Sequence, residues 1–140
     1  AVEQVPLDRS GGRTSVNALD SVENRLAEGG LVGIFPEGTR SPDGRLYKGK
    51  TGVARMTLAT GAPVVPVGIS GTTVRRKVVG IPLLDHPTLI FGEPMHFTEA
   101  YAGVPAGRAR REVTDQVMAA IHELTGQPLA DGYNEHPPAQ

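Results

Sequence analysis

The residues best suited to chemistry are Glu37, Gly38, Thr39 and Arg40, directly after Pro36. A carboxylate, a glycine, a hydroxyl and a guanidinium in succession suit an anion. Gly38 permits a tight turn and a close approach of the backbone to a bound group. The planar fork of Arg40 matches two phosphate oxygens through parallel hydrogen bonds, and Thr39 adds a donor. Glu37 can anchor that arginine or accept from a ligand hydroxyl. Taken alone, the same residues also suit a surface turn with a solvated arginine. A second pair, Asp8-Arg9, is by itself equally compatible with an exposed turn.

Placing these residues falls to the elements around them. The apolar run 31–35 reads as a buried strand, ended by Pro36, which lacks a backbone donor. Gln4-Val5-Pro6-Leu7 reads as a shorter strand leading into Asp8-Arg9, with a flexible turn at Ser10-Gly11-Gly12. Thr14 or Ser15 can cap a helix that runs to about Glu28. Leu19, Val22 and Leu26 form its apolar face, and Gly29-Gly30 stop it. Strand, helix and strand within about 30 residues make a βαβ unit with parallel strands and a right-handed crossover. Both strands then end at one sheet edge, where open α/β sheets bind ligands, so Arg9 and Arg40 are expected to converge.

Further along, a helix is expected over 52–60, closed by Gly61. The run 64–69 reads as a third parallel strand, although Pro66 is awkward inside a fully paired one. Ser70 to Thr73 would return to the same edge. The segment from Arg75-Arg76-Lys77 to Leu84 reads as an irregular loop, and Thr88 to Gly92 as a last strand. Val113, Val117, Ile121 and Leu124 mark the face of a final helix ending at Gly126. The expected architecture is α/β, a largely parallel sheet flanked by helices, over residues 1–126. Residues 127–140, with Pro137-Pro138, read as a loosely ordered tail.

Composition narrows the function. The 140 residues carry 14 basic and 15 acidic side chains, a net charge of −1. Such a balance argues against a dedicated nucleic-acid binder, which needs a basic excess to displace phosphate counterions. The absence of cysteine removes thiolate nucleophiles, iron–sulfur clusters and cysteine zinc sites. His86, His96, His122 and His136 are scattered without metal-ligand spacing, so no metal site is expected. The longest nearly apolar run, 62–69, falls far short of the ~18 residues of a membrane span. Residues 1–10 lack the apolar core of a signal peptide. A chain that starts at Ala1 with a strand-like segment is expected to continue upstream.

A rival motif overlaps the loop. Gly44-Arg45-Leu46-Tyr47-Lys48-Gly49-Lys50-Thr51 satisfies the phosphate-loop pattern G-x-x-x-x-G-K-S/T, and Ile81-Pro82-Leu83-Leu84-Asp85 could supply a magnesium-binding aspartate. A phosphate loop should spring directly from a strand, however, whereas eight residues separate Phe35 from Gly44. Its interior must also wrap phosphates closely, and Arg45, Leu46 and Tyr47 are bulky. Lys48 and Lys50 then either add positive charge beside the 37–40 site or solvate the loop. Arg108, Arg110 and Arg111, near the start of the last helix, suit a solvated face better than an anionic lipid surface.

Phe35-Pro36-Glu37-Gly38-Thr39-Arg40-Ser41 resembles, over all seven residues, the third sequence block of the glycerolipid acyltransferases. These enzymes acylate 1-acylglycerol-3-phosphate. Val5-Pro6-Leu7-Asp8-Arg9-Ser10 resembles their second block, although Glu3 or a neighbour stands where that block usually opens on glycine. Val64-Val65-Pro66-Val67-Gly68-Ile69 resembles the fourth block, whose proline supports the site architecturally. Glu123-Leu124-Thr125-Gly126-Gln127 is similar to the end of actinobacterial members. The resemblance therefore runs from about Val5 to Gly126.

The resemblance implies an acyltransferase in phospholipid biosynthesis that takes acyl chains from acyl-CoA or acyl carrier protein, co-substrates rather than cofactors. Asp8, Arg9, Glu37, Gly38, Thr39, Arg40, Ser41 and Lys48 would then bind the acceptor, with Arg9, Arg40 and Lys48 on its phosphate. The family's first block, His-x-x-x-x-Asp, supplies the general base. Five residues after His86, His96 and His122 stand Phe91, Tyr101 and Gln127, so the dyad does not occur in this sequence and is expected upstream of Ala1. A cytoplasmic location, peripheral to the inner face of the cell membrane, follows from the same resemblance. The alternative is a non-catalytic phosphate- or lipid-binding module.

Overall fold

The computed structural model describes residues 13–72, 74–78, 81–84 and 86–134. The expected strand 4–7, the Asp8-Arg9 pair and the Pro137-Pro138 segment lie outside these residues. Three helices are found among the described residues: α1 (Arg13–Ala27), α2 (Gly52–Thr60) and α3 (Ala106–Thr125). Four strands are described: β1 (Val67–Ser70), β2 (Val74–Val78), β3 (Ile81–Leu84) and β4 (Thr88–Phe91).

The helices end where glycine allows them to. The Gly61 N–H donates to the Thr57 carbonyl at 2.9 Å and the Gly126 N–H to the His122 carbonyl at 2.8 Å. Each helix then turns an apolar stripe inward. Ala54 of α2 meets Val113 and Val117 of α3 and Phe97 of the preceding loop, and all four are buried. Leu58, Val64, Met95, Tyr101 and Ile121 pack round this cluster. Val22 buries the face of α1, and Arg55 of α2 pairs with Asp20 and Glu23 to hold α1 against it.

The chain is α/β, but the described strands pair differently from expectation. β1 runs antiparallel to β4, with Val67 opposite Phe91 and Ser70 opposite Thr88. Pairing continues below the strands: Val64 and Met95 exchange both backbone bonds, at 3.0 and 2.8 Å. The segment expected to be an irregular loop forms a second antiparallel pair, β2 with β3. Val74, Val78 and Ile81 favour extended backbone, and a two-stranded pair leaves an edge at which Pro82 costs no ladder bond. Segments joined by so short a connection pair antiparallel, because a parallel crossover needs a dozen or more residues. A largely parallel sheet is not found among the described pairings.

Residues 31–35 also depart from expectation. No described strand pairs with them, and Leu31 is 98% and Phe35 74% exposed. An apolar run favours burial only where a partner surface covers it.

Residues 127–134 form no loose tail. Leu46 bridges Leu129 in parallel, with the Leu46 N–H on the Pro128 carbonyl and the Ala130 N–H on the Leu46 carbonyl. This strap returns from α3 across the 44–50 loop.

Candidate anion site

The site grows out of the turn that Pro36 forces. Gly38 adopts a φ of +76°, a conformation costly for any residue with a Cβ, and its N–H donates to the Phe35 carbonyl at 3.0 Å. Two backbone groups of the following loop hold the turn from below. The Lys50 N–H donates to the Pro36 carbonyl at 2.8 Å, and the Tyr47 N–H to Glu37 Oε2 at 2.8 Å. Glu37 therefore anchors the loop rather than Arg40. Its partial burial raises its pKa above the ordinary carboxylate value, an effect the Tyr47 bond partly opposes.

Arg40 is exposed, and its backbone is fixed where its side chain is not. Its carbonyl accepts from Asn134 Nδ2 at 2.9 Å. Among the described residues, Arg25, Arg45, Arg55, Arg108 and Arg111 each pair with a carboxylate, whereas Arg40 does not. A cation held at a fixed turn without a counter-charge is ready to take an anion from solution.

The other expected site residues divide. Thr39 is half-buried inside the turn. Ser41 is committed locally, its hydroxyl donating to Asp43 Oδ1 at 3.2 Å. Asp43 organises that corner by also accepting from the Arg45 backbone, Arg45 Nε and the Tyr47 hydroxyl. The hydrogen bonds from Arg45 hold its carboxyl down to a pKa of about 2. Lys48 places its Nζ 5.5 Å from the centre of the Tyr133 ring. Asp8 and Arg9 lie outside the described residues, so their convergence on Arg40 stays an expectation.

The loop geometry speaks against a nucleotide cradle. A phosphate loop offers its backbone N–H groups to the ligand. Here the N–H groups of Arg45, Leu46, Tyr47, Lys48 and Lys50 are all engaged, by Asp43, Pro128, Glu37, Gly132 and Pro36. Gly49 is small for another reason: a Cβ there would lie 2.8–2.9 Å from the side chains of Met118 and Thr114 on α3. It lets the loop lie flat on the helix.

Two residues that hold the site gave no sign of it in the sequence. Arg111 reaches from α3 to the Gly49 carbonyl at 2.8 Å and to the Tyr133 hydroxyl at 3.1 Å, while its fork grips Asp115. Asn134 closes the strap on Arg40. Both contacts join residues far apart in the chain, which no local pattern encodes. An open cleft of about 480 Å³ lies elsewhere, lined by His96, Tyr101 and Arg108 among others, and contains none of residues 36–50. Among the described residues no group of side chains could hold a metal ion, and no helix is long and apolar enough to cross a membrane.

Residues 1–70, half of the chain, match the family model described as Acyltransferase, and the chain belongs to that family. Its relatives are 1-acyl-sn-glycerol-3-phosphate acyltransferases. The chain is similar to a chloroplastic one of Arabidopsis thaliana, 34% identical over 81% of this chain and 32% of the relative. A chloroplastic one of Brassica napus is 44% identical over 69% of this chain and 28% of its own length. One from Bacillus subtilis is 31% identical over 88% of this chain and 58% of its own. The chain thus spans between 28% and 58% of the length of these three relatives. No solved structure matches it.

Proposed function

We propose that this chain supplies the acceptor-phosphate site of an enzyme that acylates 1-acylglycerol-3-phosphate. The observation that carries the reading is the turn 36–40, which holds Arg40 with no carboxylate paired to it among the described residues, inside the segment matched to the family. In the reaction, the acceptor's free hydroxyl attacks the carbonyl carbon of an acyl thioester. The C–O bond forms as the C–S bond breaks, and the hydroxyl proton leaves to a base while the thiol departs protonated. Arg40 would fix the phosphate end of the acceptor and so orient its hydroxyl. The base would be the histidine of the family's His-x-x-x-x-Asp block, which is not among these 140 residues.

The donor, acyl-CoA or acyl carrier protein, belongs to the same proposal, as do the membrane surface and the cytoplasmic location. So does the expected parallel pairing of 4–7 with 31–35, which would bring Arg9 beside Arg40. The test is acyl transfer by the intact protein to lysophosphatidate and to monoacylglycerol, the same molecule without its phosphate. Phosphatidate should form, and monoacylglycerol should react far more slowly. Equal rates on both acceptors would contradict an acceptor-phosphate site.

A further inference from the structure

We infer that Lys50 is a second cation of the anion site and contacts the same phosphate as Arg40. The inference rests on the acceptor-site reading above. Lys50 stands ten residues beyond Arg40 in sequence, in the stretch that mimics a phosphate loop. The structure removes it from that role and gives it another. Its backbone N–H is pinned to the Pro36 carbonyl at 2.8 Å, so its Cα is fixed against the turn.

From there its side chain runs over Gly38. A Cβ placed on Gly38 would lie 3.2 Å from Lys50 Cδ and 3.3 Å from both Cε and Nζ. The ammonium therefore rests against the middle of the Glu-Gly-Thr-Arg turn. The bare glycine has two jobs there: it makes the positive-φ turn and leaves room for the lysine.

Among the described residues no carboxylate pairs with this ammonium, and Glu37, its neighbour in the turn, gives Oε2 to the Tyr47 N–H. Two cations with no ion pair among the described residues are thus held at one turn, Arg40 within it through its carbonyl and Lys50 against it through its backbone. Gathering like charges without a counter-ion is unfavourable unless an anion joins them. A phosphate monoester, near −2 at neutral pH, accepts a two-pronged grip from Arg40 and a point charge from Lys50 at once. Lys48 differs, with its ammonium over the Tyr133 ring.

The same chemistry could come from the acceptor's phosphate or from phosphates on a coenzyme A donor, and kinetics separates the two. Steady-state rates of the intact protein should be measured against lysophosphatidate and acyl-CoA in turn, for Lys50→Ala, Lys50→Gln, Lys50→Arg, Arg40→Ala and the control Arg110→Ala. Lys50→Ala and Lys50→Gln should each raise the acceptor KM about tenfold or more, the loss of one charge-assisted contact. The donor KM and the melting temperature should not move. Lys50→Arg should restore part of the affinity, and Arg110→Ala should change neither constant.

An acceptor KM raised in Arg40→Ala but normal in both neutral Lys50 variants would overturn this inference and leave the acceptor site standing. A normal acceptor KM in Arg40→Ala as well would overturn the acceptor-site reading itself. A change confined to the donor KM would assign Lys50 to the coenzyme and equally refute the proposal. Lys50→Gln keeps all but the last atom of the side chain's reach and none of its charge, so beside Lys50→Ala it separates lost charge from lost packing. If its melting temperature falls in step with its acceptor affinity, the role is structural and the inference fails.

Discussion

Replacing Arg111 by alanine tests whether α3 and the strap hold the site loop. Three interactions are lost. The Asp115 pair is exposed on the carboxylate side, with Asp115 55% accessible, so it contributes only about 0–1 kcal/mol. The Gly49 carbonyl is the larger loss. Gly49 is buried, and its oxygen loses a 2.8 Å charge-assisted bond. Leaving a buried acceptor unpaired costs about 1–3 kcal/mol. The contact to the exposed Tyr133 adds little. The sum is about 2 kcal/mol, which for a domain of this size lowers Tm by about 6–10 °C. Thermal unfolding followed by circular dichroism measures it. Arg111→Lys should recover less than half, since a single ammonium cannot grip Asp115 and reach Gly49 together. A variant within about 0.5 kcal/mol of the parent would refute the reasoning, as would full recovery by lysine.

Three further outcomes follow from the same geometry. Asn134→Ala frees the Arg40 carbonyl and should raise the acceptor KM several-fold with little change in Tm, read from kinetics and melting on one preparation. Glu37→Gln bears on pH. Burial raises the Glu37 pKa, so its contribution to stability is greatest below its ordinary value of 4.5 and is lost as pH rises through the raised one. The glutamine variant, whose amide oxygen still accepts from Tyr47, should be at least as stable as the parent at pH 7, with the difference shrinking as pH falls through the raised pKa toward 4.5; a growing difference in acid would reverse the sign. The 140-residue chain by itself, without a His-x-x-x-x-Asp block, should show no acyl transfer above background, and turnover with acyl-CoA and lysophosphatidate would disprove the need for that block.

What the sequence alone reveals differs from element to element. α2 and α3 are readable because a periodic apolar face ends at a glycine, and Val113 and Val117 are indeed buried where that period places them. β4 is readable from its β-branched and aromatic run between turn residues. Direction is not. Alternation and apolarity are the same for parallel and antiparallel strands, so 64–69 looked like a parallel strand and β1 pairs antiparallel with β4. The basic residues Arg75, Arg76 and Lys77, followed by Pro82, disguised the β2–β3 pair as a loop. At the site, the Glu-Gly-Thr-Arg turn is visible because its chemistry is local. Its supports are not: Asn134 meets Arg40 across 94 residues, and Arg111 meets Gly49 across 62. Lys50 was visible as a charge, but only the bare Cα of Gly38 shows where that charge goes.

The claim at the centre of this account is that Arg40 holds the acceptor's phosphate. The most direct measurement compares Arg40→Ala with the parent in the intact protein, using lysophosphatidate and monoacylglycerol as competing acceptors at fixed acyl-CoA. One charge-assisted contact of about 1.5–3 kcal/mol should be lost. The preference for lysophosphatidate should therefore fall about tenfold or more, while the rate on monoacylglycerol stays as it was. An unchanged preference, or a loss of rate equal on both acceptors, would contradict it.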